Sequence, residues 1–226
     1  MSALSLLKMI QISDSLFPIG AFTLSNGLET MVLQEKLTTK EDLDRYVKNY
    51  MKLLPFNNLG IMMLAWQRAD DPDFLRQLDE VSMAVKTPRE VREGTVKLCR
   101  RFLKLWKQLR EYKSLAWYQE EVKEGRCIGD HSIAVGLYAR EIGLEQELAG
   151  AVYVYNLITS IVTNAVKTVP LSQIAGQQIL NQALEQVEEC VAKAKEVEKE
   201  DLGVGGTQMD IAAMNHETLY SRLYMS

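Results

Sequence analysis

Segments with apolar residues at helical spacing, each opened by a capping signal or a proline, follow one another along almost the whole chain. This repetition limits the fold more than any other feature. Thr39 with Asp42 three residues on is a capping pattern, and it introduces Leu43, Tyr46, Val47, Tyr50, Met51 and Leu54 on one helical face, closed by Pro55. Residues 56–69 form a second, more apolar segment. Asp71-Pro72 then places a cap and a first-turn proline ahead of Phe74, Leu78, Val81 and Val85. Thr87-Pro88-Arg89-Glu90 reads as a capping box with a first-turn proline, launching Val91, Thr95, Leu98, Phe102, Leu105 and Leu109 in a helix that could run to about Glu121. Gly125 and Gly129 mark a break, Asp130 can cap the next helix, and Gly143 can end it. A buried helix is expected over about 145–167, and Pro170 restarts the chain into a long helix ending in the charged run AKAKEVEKED. No segment has convincing strand alternation, so the fold class is all-α: a single helical-bundle domain of about eight to ten helices.

Two stretches interrupt the pattern. In SDSLFPIGAFTLSNGLE, at 13–29, Pro18 and Gly20 break any regular element and leave Leu16, Phe17, Ile19 and Phe22 on a loop or its edges. LGVGGTQ reads as a flexible connection, which divides the chain into an all-α domain over 1–201, a glycine-rich hinge over 202–209 and a terminal segment over 210–226. That segment is unusually apolar for a terminus, with Ile211, Met214, Leu219, Tyr220, Leu223, Tyr224 and Met225. It must dock on its own domain or on a partner, and the hinge tilts the expectation toward a partner-docking segment.

Composition limits the chemistry. The net charge of −4 disfavours a bulk electrostatic grip on nucleic acid or an anionic membrane surface, since phosphate binding needs a concentration of Lys and Arg. Cys99, Cys127 and Cys190 are odd in number and form no CxxC pair, as expected of free thiols in a cytoplasmic protein. No export signal is evident at the N-terminus. Ala149 to Val166 carries no charge, but its Asn, Thr and Ser residues favour a helix buried on nearly all sides over a membrane span.

Catalytic patterns are missing: there is no phosphate loop, GxGxxG, GxSxG or HExxH. His216-Glu217 lacks the second histidine that a zincin places one turn on. Cys127 and His131 are two ligands where a catalytic metal site normally takes three. Asp130 reads as a cap and His131 as a packed histidine, while Asn156, Asn164 and Gln177 read as interhelix hydrogen-bond partners. The residues alone therefore describe an all-α interaction protein with no catalytic residues, no stable metal site and no cofactor of its own.

Five strings, SDSLFPIGAFTLSNGLE, TPREVREGTVKLCRRFL, GDHSIAVGLYAREIGL, VKTVPLSQIAGQQIL and MDIAAMNHETLYSRLYMS, resemble in this order the landmarks of the urease accessory protein UreF family. Two positions depart from it: Ser132 follows His131 where many members have proline, and Ser172 stands where glycine is common. The resemblance implies a homodimeric scaffold and not an enzyme. Such a protein bridges UreD (also called UreH) to the GTPase UreG, regulates GTP-dependent nickel delivery to apo-urease, and leaves nickel, GTP and magnesium to its partners. It implies that His216, Glu217, Tyr220, Ser221 and Arg222 bind partner proteins, Arg222 offering a rigid fork of donors to a carboxylate. It implies a dimer or GTPase face at Lys167, Gln173 and Gln177, and a structural role for the Pro18–Gly20 loop. The alternative function is a nickel-binding metallochaperone using Cys127, His131 and His216.

Overall fold

The computed structural model describes residues 2–224, so Met225 of the apolar terminus lies outside the described residues, as does Ser226. The described chain is all helical: α1 (Ala3–Ser13), α2 (Leu28–Leu33), α3 (Lys40–Leu53), α4 (Asn58–Gln67), α5 (Pro72–Ala84), α6 (Arg89–Leu109), α7 (Lys113–Lys123), α8 (His131–Glu141), α9 (Gln146–Thr168), α10 (Gln173–Leu184), α11 (Val187–Lys195) and α12 (Thr207–His216). That is more helices than expected, because two long elements are each divided. The helix starting near Thr87 stops at Leu109, where Arg110 turns to an extended backbone, and α7 restarts after Tyr112. The element after Pro170 breaks at Glu185 and Gln186 into α10 and α11. In both cases the apolar spacing continues across the break, which hides it from a periodicity argument.

Local chemistry sets most helix starts. Thr39 and Asp42 form the full capping box, Asp71 accepts from Phe74 N at 3.1 Å, and Asp130 accepts from Ser132 N at 2.6 Å. The box expected at Thr87 does not form: Pro88 is the N-cap and no side chain caps it. Glu90 is thereby free for a longer-range partner.

The centre of the bundle is α4 against α8. Every residue of α4 from Leu59 to Ala65 is buried, so this helix is apolar on all sides and needs neighbours all round. Gly136 of α8 lets the backbones meet, since a Cβ there would lie 2.3 Å from Met62 O. An aromatic cluster of Phe17, Phe102, Trp106, Tyr112 and Tyr138 closes one end, with Trp106 stacked on Tyr138 at 4.7 Å. The 13–29 loop thus packs on the core through Phe17 and Ile19, leaving Leu16 in solvent. Gly20 takes a left-handed conformation, φ +84°, and Arg101 Nη1 donates to Ile19 O at 3.0 Å, while Pro18 is exposed.

A buried polar network ties α5 to α7 and α8. Asp79 accepts from Tyr118 OH at 2.5 Å and from the amides of Ile128 and Gly129 at 2.6 and 3.0 Å, and Asp130 is paired with Lys86 at 2.6 Å. Helix α9 is long and apolar enough to cross a bilayer, but half of that stretch is buried against other helices. It is not enclosed on nearly all sides as expected: Val152, Tyr155, Thr159 and Thr163, at 3 and 4 spacing, remain partly or fully exposed on one stripe. Its asparagines serve as expected, Asn156 donating to Ser13 O at 2.6 Å and Asn164 to Leu24 O at 3.0 Å, whereas Gln177 is exposed.

The α4–α8 contact is testable. Gly136→Ala should cost about 1–3 kcal/mol in urea unfolding, because the new methyl meets backbone that cannot move aside. Gly150→Ala, whose Cβ would meet only Met63 and Val191 side-chain atoms at 3.4 Å, should be nearly neutral in the same assay.

Candidate functional site: the C-terminal clamp

The most elaborate polar cluster lies where the last residues of the chain cross back over α2 and the first turn of α6. Its centre is His216, the last residue of α12, which is fully buried. His216 Nδ1 is 2.6 Å from Glu90 Oε2 and His216 Nε2 is 3.0 Å from Glu29 Oε2. Both contacts are hydrogen bonds only when both ring nitrogens carry protons or one carboxyl does. The cluster sets three basic side chains, Arg89, Arg222 and His216, against three carboxylates, Glu29, Glu90 and Glu217, and buried polar groups of this kind are tolerable only when they are paired.

From this centre the irregular segment after α12 is strapped down. Arg222 Nη1 donates to Glu90 Oε1 at 2.8 Å, and Arg89 donates to Glu217 Oε2 at 2.7 Å. The amides of Leu223 and Tyr224 donate to the two oxygens of Glu29 at 2.7 and 3.2 Å, and Tyr224 OH reaches Asn164 O at 3.2 Å. Helix α12 itself lies close on the α2 cap, where a Cβ on Gly27, φ +87°, would come within 2.7 Å of Ala213 N. Ala212 and Ala213 are buried there.

The apolar residues of the same segment point the other way. Ile211, Met214, Leu223 and Tyr220 are exposed, Tyr220 completely so. The terminus therefore holds to its domain largely by small and polar groups, with Leu219 and Tyr224 half-buried, and presents Ile211, Met214, Tyr220 and Leu223 outward, the reverse of ordinary helix packing.

The sequence-derived site residues thus separate into groups. His216, Glu217 and Arg222 share the clamp, while Tyr220 and Ser221 are exposed beside it. Within the segment expected as a hinge, Gly203 N donates to Phe56 O, Asn57 Nδ2 donates to Val204 O, and α12 already begins at Thr207. Gln173 and Gln177 line an open groove with Tyr155, Ile174 and Leu184, and Lys167 is exposed in the last turn of α9, outside that groove. Cys127, His131 and His216 are not gathered: among the described residues no group of three or more His, Cys, Asp and Glu is placed to hold a metal ion. Cys127 is buried and its thiol is pushed up to about 12 by desolvation, which withholds the thiolate a metal needs. His131 meets Phe102 edge-on at 5.6 Å, and both nitrogens of His216 already face carboxylates.

Glu29, Glu90 and Arg89 are the clamp residues that sequence reasoning missed. All three stand inside the quoted strings, SNGLE and TPREV, but Glu90 was absorbed into a capping box and a glutamate in a short helix has no local signature of a distant partner.

Comparison with known proteins bears on the family of the chain. The family model UreF matches residues 37–184. The chain is 36% identical over 221 residues to the urease accessory protein UreF of Actinobacillus pleuropneumoniae serotype 5b (strain L20), covering 96% of this chain and 97% of that one. The chain belongs to the UreF family. Other UreF relatives are those of Haemophilus influenzae (strain PittGG), 35% identical with 96% and 94% covered, and Bacillus sp. (strain TB-90), 33% identical with 98% and 99% covered. As a UreF, it is a urease accessory protein, and the clamp lies partly in α2 and the terminal segment, outside the span of the family match.

Two expectations follow. His216→Ala leaves two carboxylates facing each other and should cost about 3 kcal/mol or more in urea unfolding, whereas the same change in a Glu29→Gln, Glu90→Gln background should cost much less. At His131, burial lowers the pKa from 6.5 to about 4 against the pull of Asp130. The unfolded chain then takes up a proton that the folded chain refuses, so this contribution is complete above pH 6.5 and is lost as pH falls toward 4. Between roughly pH 7 and pH 5 this contribution should lower stability by up to about 2 kcal/mol, and that part of the drop should be absent in His131→Gln.

Proposed function

We propose that this chain acts in urease maturation as a cytoplasmic homodimeric scaffold that bridges UreD (UreH) to the GTPase UreG and regulates GTP-dependent nickel delivery to apo-urease. It does no chemistry of its own, and nickel, GTP and magnesium are handled through its partners. The observation that carries the reading is the inverted terminal segment, in which the polar groups of His216, Glu217 and Arg222 hold the domain while Ile211, Met214, Tyr220 and Leu223 face outward. Exposed apolar groups on a segment fixed by exchangeable ion pairs suit a protein partner, which can cover the former and compete for the latter. Arg222, 43% exposed in its pair with Glu90, can turn its fork to a partner carboxylate at small cost to the fold.

The homodimer is supported by the α9 stripe together with the exposed Ile174 and Leu184 of α10, where Gln173 and Gln177 border the groove and Lys167 lies in the final turn of α9. Two copies meeting there would cover an apolar band that one copy leaves open. The metallochaperone alternative has no comparable support, since its three residues are apart.

Co-expression with UreD and UreG tests the reading. The intact chain should purify with both in one complex, while Arg222→Ala should weaken the complex by about 2 kcal/mol or more with an unchanged helical spectrum. Deletion of residues 217–226 should abolish the complex. A complex that survives the deletion would refute the docking role of the terminal segment, and urease activation that persists unchanged in cells without this protein would refute the scaffold role. Tight stoichiometric nickel binding in equilibrium dialysis, lost in a His131→Ala, His216→Ala double variant, would favour the metallochaperone.

A further inference from the structure

Although the chain as a whole is acidic, the outer face of α6 is not. From Gly94 to Arg110 there are six cations and no carboxylate: Lys97, Arg100, Arg101, Lys104, Lys107 and Arg110, every one exposed. The first five recur at 3,1,3,3 spacing and so stay within about a third of the helix circumference over a length of about 15 Å. This is the local concentration of Lys and Arg that overall charge did not reveal. A favourable helix dipole accounts for Lys107 and Arg110 near the C-terminus, but not for Lys97, Arg100 and Arg101 in the middle turns.

The stripe is poorly neutralised from within. Lys97 approaches Glu93 at 3.9 Å and Arg101 is spent on Ile19 O, while Arg100, Lys104 and Lys107 form no ion pair among the described residues. Like charges at 3 and 4 spacing repel one another, so the isolated helix carries a cost that an opposing surface would remove.

At its C-terminal end the stripe runs into a cavity of about 190 Å³ between α6 and α7, lined by Trp106, Lys107, Arg110 and Tyr112 among others. The indole N–H of Trp106, a buried donor, has no acceptor. Glu120, on the α7 side, is already held by Lys123 at 2.9 Å, and Glu111 also borders the cavity. Two carboxylates thus border the cavity, yet Trp106 Nε1 has no acceptor there and neither Lys107 nor Arg110 forms an ion pair among the described residues.

We infer that the basic outer face of α6 docks an acidic surface of a partner protein, with one partner carboxylate seated in the cavity beside Trp106. The stripe is one helix wide and carries no exposed aromatic platform for bases, and the rest of the chain is acidic, so a protein surface of limited extent fits better than a long polyanion. The face begins two turns beyond Arg89 and Glu90, on the helix that anchors the terminal clamp, so one partner could span both.

The test compares the full chain with an Arg100→Glu, Lys104→Glu, Lys107→Glu variant, and with the corresponding all-Gln variant should the reversal fail to fold. The probes are a helical peptide of about 20 residues with Glu at every third and fourth position, purified UreD, UreG and apo-urease, and a short DNA duplex. The intact chain should bind the peptide and at least one of the proteins, and charge reversal should weaken both by about tenfold or more at low salt, the difference shrinking near 0.5 M salt. Trp106→Phe, which keeps every charge, should weaken the peptide further and identify the cavity as the carboxylate seat. No binding of the peptide by the intact chain, or tighter binding of the duplex than of the peptide, would overturn the inference. Partner proteins that bind the reversed variant as tightly as the intact chain would also overturn it while leaving the scaffold reading in place; binding of the peptide but of none of the proteins would sink the scaffold reading instead.

Discussion

The imidazole of His216 between Glu29 and Glu90 is the contact on which the arrangement of this chain's two ends depends. It joins a short N-terminal helix, the first turn of the long α6 and the final turn of α12 at one buried point. Remove the ring and two carboxylates confront each other in a buried place; remove either carboxylate and one buried ring nitrogen loses its hydrogen-bond partner. The bonds from Glu29 to the amides of Leu223 and Tyr224, and from Glu90 to Arg222, are built outward from that point. The clamp is strong at its centre and weak at its rim, where the pairs of Arg89 and Arg222 are partly solvated.

That gradient gives the segment its character. A terminus held by apolar burial could be released only by exposing its core face. This one is held largely by ion pairs and hydrogen bonds, with Ala212 and Ala213 as its buried apolar contacts, and Ile211, Met214, Tyr220 and Leu223 are already outside. A partner can therefore take the apolar groups without unfolding anything, and can then compete for Arg222 and Glu217 one pair at a time. For a scaffold that must assemble and come apart, a polar inner face and an apolar outer face is a workable division.

Much of the fold was legible in the sequence because helices announce themselves locally. The caps at Thr39, Asp71 and Asp130, the left-handed glycine Gly143 and the apolar spacing of α3 through α9 all lie within a few residues of the structure they specify. What was not legible is long-range. The breaks at Arg110 and at Glu185 interrupt no apolar period, the outward side of α9 cannot be told from its inward side by composition, and Thr87 looks like a cap although Glu90 is required elsewhere. The clamp was half visible: His216, Glu217 and Arg222 stood out in the terminal motif, but their partners Glu29, Glu90 and Arg89 lie more than 120 residues away and no local rule connects them.

Amide hydrogen exchange of the terminal segment in the isolated chain addresses the central claim most directly, because it reads the clamp without any partner. Leu223 and Tyr224, whose amides donate to Glu29, should exchange well below the rate of an open chain, and Glu29→Gln should bring them toward that rate while α4 and α8 stay protected. Free exchange at Leu223 and Tyr224 in the unsubstituted protein would contradict the account.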